Sequence, residues 1–114
     1  HANTLTDTGE SAVKLMKEVG RSNVKSYWQP PVGLDFDNCM NGLYQILPWL
    51  SNIHVFWWDM LERLPLAQGM DTWRKYIEVM KSKEGDRFCM LEFVKDDSPE
   101  QFLMDAEILK NIID

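Results

Sequence analysis

With 114 residues, 45% of them hydrophobic and 26% charged, the chain has the composition of one ordinary globular domain with a modest core. A net charge of −6 argues against nucleic acid or an anionic membrane surface as the main partner, since both need a basic footprint. No apolar run approaches the roughly 20 residues of a membrane span.

The predicted elements alternate. Asp7-Thr8 precedes a run with Ala12, Val13, Leu15, Met16 and Val19 at helical spacing, closed by Gly20 in the usual C-terminal position. A short strand follows over Val24 to Trp28, stopped at Gln29-Pro30-Pro31 because two prolines cannot continue a ladder. Asp35 or Asp37 can cap a second helix running through Met40, Leu43, Ile46 and Leu47 and ending near Pro48 and Leu50. A second strand is expected over Ile53 to Trp58. It is apolar apart from His54, as suits a strand covered by helices. Asp59 to Gly69 reads as a loop, and Asp71 as the cap of a third helix that carries Trp73, Tyr76, Ile77 and Met80 on one face. Lys83 to Asp86 turn into a third strand, Phe88 to Phe93. Ser98-Pro99-Glu100-Gln101 is a strong helix start: Ser98 caps, Pro99 suits the first position, and Gln101 is placed to complete a capping box.

The order is therefore α-β-α-β-α-β-α, with crossovers long enough for parallel pairing. Three polar side chains fall at strand ends: Gln29 after the first, His54 inside the second and Glu92 closing the third. Parallel α/β sheets collect their chemistry at the C-terminal ends of their strands, so amide, imidazole and carboxylate are candidates for one site. His54 is the sole histidine besides His1, which limits any histidine-dependent chemistry to these two. Glu92 in an apolar strand is costly to bury without a partner. His54 as a hydrogen-bonded core residue, Gln29 as a strand terminator and Arg63 as a solvated partner of Glu62 are the bland alternatives.

A three-stranded parallel sheet of such apolar strands has two open edges, and these should be covered. The leading helix without a preceding strand, the start at His-Ala-Asn rather than Met, and five tryptophans in so short a chain suggest a portion of something larger. No charged-then-apolar leader is visible. Cys39 and Cys89 read as buried free thiols in a reducing cytosol, so the expected location is cytoplasmic.

The stretch SNIHVFWWDMLERLPLAQGMDTWR, Ser51 to Arg74, resembles the seventh strand, loop and helix start of the xylose-isomerase-like TIM barrels, the sugar isomerase, sugar epimerase and apurinic-endonuclease superfamily. There a strand histidine is followed by an arginine-containing loop, a Pro…Gly turn and Asp-x-Trp opening the helix, matched here by His54, Arg63, Pro65, Gly69, Asp71 and Trp73. FCMLEFVKDDSPEQFLMDAEILKNI resembles the eighth unit, with Glu92 at its strand tip, and the first twenty residues resemble the end of strand five and helix five. The resemblance implies that residues 1–114 form one domain, the C-terminal half of a (β/α)8 barrel from the end of unit five to unit eight.

By that resemblance, a divalent metal (Mn, Mg, Co or Zn) would be held by His54 and Glu92, with Gln29 near the strand-six position where the family has an aspartate. The family's strand-five glutamate would lie upstream of His1. A neutral amide is a weaker ligand for a hard cation than a carboxylate, so Gln29 is a departure. Glu92 would also be an acid/base in enediolate proton transfer on a sugar or sugar phosphate. Arg63 would contact substrate, and Trp28, Trp57, Trp58 and His1 would line the pocket. Trp57 and Trp58 alternate faces in a strand, so at most one of the pair points inward. The endonuclease branch needs a metal cluster rich in histidine and carboxylate, and this chain fits it poorly. The implied parent is a metal-dependent isomerase or epimerase, with the fragment inactive alone. The alternative is a half-barrel that has lost the metal and serves binding or assembly. A free-standing three-stranded α/β domain of unrelated function is a third reading. The expected partners are a second copy, as a homo-oligomer, or the missing N-terminal half-barrel.

Overall fold

The computed structural model describes residues 3–114. Helix α1, Gly9–Val19, starts with a reciprocal cap: Ser11 N–H donates to Thr8 Oγ1 at 3.1 Å, and Thr8 N–H donates to Ser11 Oγ at 3.3 Å. It stops at Gly20, whose φ of 59° is the left-handed conformation that glycine adopts without steric cost. Strand β1 is Ser26–Trp28. Helix α2, Phe36–Ile46, is capped by Asp35, which accepts from Asn38 N–H at 2.9 Å, and turns Cys39, Leu43 and Ile46 inward.

Pro48 has no N–H to continue the helical ladder. The chain tightens there into one 3-10 turn, Leu47–Trp49, and enters strand β2, Leu50–Val55, at once. The strand expected at Ile53 thus starts earlier and ends earlier. Trp57–Asp59 (β3) leaves the parallel sheet and pairs antiparallel with Glu62–Leu64 (β4), Trp58 opposite Arg63 and Asp59 opposite Glu62. The expected loop from Asp59 to Gly69 is therefore a hairpin followed by a 3-10 turn, Leu66–Gly69. Helix α3, Met70–Lys81, begins behind Gly69, which offers no side-chain cap. The predicted cap Asp71 lies inside the first turn and faces Arg74 at 3.5 Å. A β-carbon on Gly69 would fall within the Trp57 indole, so the ring closes over the glycine and fixes where the helix starts.

Strand β5 is Phe88–Leu91, and a 3-10 turn, Lys95–Asp97, leads into α4, Pro99–Ile113. Ser98 caps α4 by accepting from Gln101 N–H at 3.2 Å. The Gln101 side chain does not return to complete the capping box; its amide donates to Asp105 at 2.8 Å. Asp105, only 2% exposed, also accepts from Leu66 N–H at 3.0 Å and so ties α4 to the turn before α3.

The parallel sheet runs β1-β2-β5, with β2 central. Register puts Trp28, Ile53 and Cys89 in one row and Tyr27, Asn52 and Phe88 in another; strand alternation sends these rows to opposite faces. The helices cover the first face. Trp28, Ile53 and Val55 join Ala12 and Met16 of α1, Leu43 and Ile46 of α2, Trp73, Tyr76 and Ile77 of α3, and Leu109 and Ile112 of α4 in one core. Trp73 is completely buried and donates its indole N–H to the Phe56 carbonyl at 2.9 Å, anchoring α3 to the end of β2. The second face carries Tyr27, 56% exposed, and Phe88, 67% exposed. The fold is thus mixed α/β: four helices, a three-stranded parallel sheet and a small antiparallel pair.

Candidate functional site

Three of the residues singled out by sequence meet on the open face, at the C-terminal ends of the strands. His54 Nδ1 lies 3.2 Å from Gln29 Oε1 and 3.3 Å from Glu92 Oε2. Each reaches the point from a different strand end: Gln29 directly after β1, His54 near the end of β2, Glu92 just after β5. Glu92 is held in register by its own N–H, which donates to the Val55 carbonyl at 3.1 Å. The His54 and Glu92 side chains are 22% and 20% exposed, sheltered yet open to a small ligand. Tyr27, which the sequence reading did not select, sets its ring edge-on to His54 at 5.4 Å. Alternation along β1 and β2 could have found it, since Tyr27 and His54 share a face.

The chemistry of this trio depends on the His54 proton. With Nδ1 protonated, its single N–H donates to Gln29 Oε1, while Glu92 Oε2 stands at ion-pair distance from the same nitrogen. With Nδ1 free, imidazole, amide oxygen and carboxylate form a nitrogen-and-oxygen donor set. The set supplies one negative charge and three donors, which fits a divalent cation in part. Among the described residues there is no group of three or more His, Cys, Asp or Glu side chains able to hold a metal.

The other predicted residues lie elsewhere. Trp28 is buried on the helix-covered face, edge-on to Trp73 at 6.4 Å and Tyr76 at 5.1 Å. Trp57 lies over Gly69 and packs against the core. Trp58 instead forms a cluster with Phe56 at 5.4 Å and Phe93 at 5.1 Å. Its buried indole nitrogen has no hydrogen-bond partner among the described residues. Arg63 is on β4, not in a loop. Its guanidinium rests 4.8 Å from the Phe93 centroid and 5.8 Å from that of Trp58, and it pairs with Asp97. His1 lies outside the described residues.

Both cysteines are unpaired, Cys39 buried and Cys89 half-buried. Burial raises the pKa of each thiol above its ordinary value. No helix among the described residues is long and apolar enough to cross a membrane. Comparison with protein-family models, curated proteins and solved structures gives no match to this chain.

Proposed function

We propose that this domain is the C-terminal half of a (β/α)8 barrel and contributes half of the active site of a divalent-metal-dependent sugar or sugar-phosphate isomerase or epimerase. The observation that carries the reading is the convergence of Gln29, His54 and Glu92 at the C-terminal strand ends of a parallel sheet. One-sided helix cover supports it, because a barrel keeps helices outside and turns the other sheet face inward. The uncovered β1 and β5 edges are where further strands, from the remaining half-barrel or a second copy, would pair.

A bound divalent ion would polarise the substrate oxygens and stabilise the charge that develops on them. Glu92 takes the proton from the substrate carbon to give an enediolate; in isomerisation it returns that proton to the neighbouring carbon, and in epimerisation a second carboxylate protonates the same carbon from the opposite face. Gln29 orients the imidazole by accepting from Nδ1, and the same nitrogen stands 3.3 Å from the Glu92 carboxylate. The second carboxylate that such a transfer uses on the opposite face of the sugar comes from outside residues 3–114, so this domain alone is inactive.

Incubation of the full-length protein with a panel of ketoses and ketose phosphates in D2O, with and without Mn2+, tests the reading. Proton NMR should show metal-dependent deuterium incorporation next to the carbonyl, abolished in Glu92→Gln and His54→Ala. A second reading, a half-barrel that binds sugars or assembles without catalysis, is favoured by the neutral Gln29 at the position where the resembled family has an aspartate. Sugar binding without Mn2+ binding or exchange, unchanged in His54→Ala, would establish that second reading and remove the first.

A further inference from the structure

At the other end of the sheet from Glu92, an open cleft of about 610 Å³ lies where α3, α4 and the start of β5 meet. Phe88 opens β5 and Glu92 follows its last residue, about 13 Å further along at the rise of a strand, so the two places are separate. The apolar lining of the cleft is Ile77, Met80, Cys89 and Ile113. Ile77 and Met80 belong to the buried core and Cys89 packs against it, so the core is left open here on one side. Lys81 braces the opening: its ammonium, at the end of α3, donates to the Ile113 carbonyl at the end of α4 at 2.5 Å.

A guanidinium at this cleft has no anion to answer it. Arg87, just before β5, is half-buried. Its Nη1 donates to the Lys83 and Gly85 carbonyls at 2.8 and 3.1 Å, and its Nη2 to that of Glu84 at 3.5 Å. These carbonyls fix the plane of the group without neutralising its charge. Among the described residues no carboxylate pairs with Arg87, and its Nε–H, withdrawn from water, has no acceptor. A half-buried charge and a buried donor left in this state are both costly. The Nε–H and the second Nη2–H make up the side edge of the guanidinium, which a carboxylate takes with two parallel hydrogen bonds. Residues 83–86 of the preceding turn are all exposed, so the turn can shift to admit a ligand to that edge. Lys81 and Lys83 line the cleft as well, giving it three cations against the carboxylates of Glu84 and Asp86, in a chain whose net charge is −6.

We propose that this cleft binds an aliphatic monocarboxylate of medium chain length, with the carboxylate on Arg87 and the hydrocarbon chain over Ile77, Met80, Cys89 and Ile113. The volume lies within the range of small-molecule sites. An uncharged ligand would leave the guanidinium unanswered, and a wholly polar one would leave the apolar lining in water. A single negative charge matches the local excess of one cation, whereas a dianion would also face Glu84 and Asp86. The site is independent of the isomerase reading, because a ligand at the start of β5 does not reach Gln29, His54 and Glu92.

The test titrates the full-length protein at fixed ionic strength with hexanoate, octanoate and decanoate below their micellar concentrations, and with decanol as the uncharged control. NMR follows the methyl groups of Ile77, Met80 and Ile113 and the Arg87 side-chain nitrogen. The carboxylates should give saturable shifts at all of these, with affinity rising about two- to fourfold for each added methylene. Decanol should bind at least about tenfold more weakly than decanoate, for want of the charge-assisted bonds. Arg87→Gln should weaken decanoate binding by about tenfold or more while leaving decanol unchanged, and the decanol response also shows that the variant is folded. Arg87→Lys, which keeps the charge and loses the fork, should weaken decanoate by less. Absence of saturable shifts with decanoate overturns the proposal. Equal affinity for decanoate and decanol, or for decanoate in the parent and Arg87→Gln, also overturns it and marks an apolar opening without an anion site. So do methyl shifts that follow protein concentration with no ligand added, which mark the cleft as covered by a second copy of the chain.

Discussion

The two faces of the parallel sheet are built from alternate residues of the same strands, yet they do opposite things. Trp28, Ile53 and Val55 look toward the helices and are almost wholly removed from water. Their neighbours Tyr27, Asn52 and His54 look away, with Tyr27 more than half exposed. The first face carries the stability of the domain, and the second has been left free for polar groups whose arrangement adds little to folding. A lone imidazole between an amide and a carboxylate would be expensive inside the first face. On the second it is sheltered without being sealed, as a ligand site requires.

The sharpest way to break this contrast is to remove one large side chain from each face. Trp73→Ala empties the centre of the covered side and orphans the Phe56 carbonyl, so urea unfolding followed by circular dichroism should show a loss of about 3–5 kcal/mol. Tyr27→Ala and Phe88→Ala on the other side should each cost under about 1 kcal/mol, since neither leaves a cavity. Comparable losses at the two faces would mean that the open face is packed in solution. The cost at Tyr27 or Phe88 would then rise with protein concentration if a second copy supplies the packing.

A smaller effect separates the covered core from the hairpin that joins it to the site. At Gly69, immediately before α3, the Trp57 ring occupies the space a β-carbon would need. Gly69→Ala should destabilise by about 1–3 kcal/mol through overpacking, because the indole must move to admit the methyl group. Trimming the ring in Gly69→Ala/Trp57→Leu should recover part of that loss, read as a coupling in a double-mutant cycle. Additive losses would place the cost in the backbone rather than at the ring.

The same contrast explains what could be read in advance. The four helices were legible because each carries its own signals: Thr8 and Gly20 around α1, Asp35 before α2, Ser98-Pro99 before α4, and an apolar stripe along α3. The parallel pairing followed from long crossovers, and the Gln29–His54–Glu92 meeting followed from strand-end position. The β3–β4 hairpin was not legible. Its two-residue turn is Met60-Leu61, with φ of 51° at Met60, where sequence signals rely on Asn-Gly or Asp-Gly. Without that turn, IHVFWW reads as one strand, and Arg63 is lost to a loop. The choice between Trp57 and Trp58 was open for the same reason. Alternation shows that the two diverge, but only the kink at Phe56 and the small Gly69 decide that Trp57 joins the core while Trp58 joins Phe93.

The gentlest probe of the two faces is pH. Cys39, Cys89 and Tyr76 all lie on the helix side of the sheet, and burial raises the pKa of each. For an acid raised on folding, the native state keeps its proton where the unfolded chain has released it, so the native state binds more protons and stability falls with rising pH. The window opens at the ordinary thiol value of 9.0 and, for Tyr76, at 10.0, and each contribution declines until the folded group itself ionises. The urea midpoint should therefore be flat from neutrality to about pH 8.5 and drop above it. In Cys39→Ala/Cys89→Ala the drop should be delayed to the tyrosine range, whatever the variant's starting stability. His54→Ala, on the other face, should leave the onset of the drop where it is. An onset that moved with His54 instead would place a titrating group of the open face among those that hold the fold together, and the division of labour between the two faces would fail.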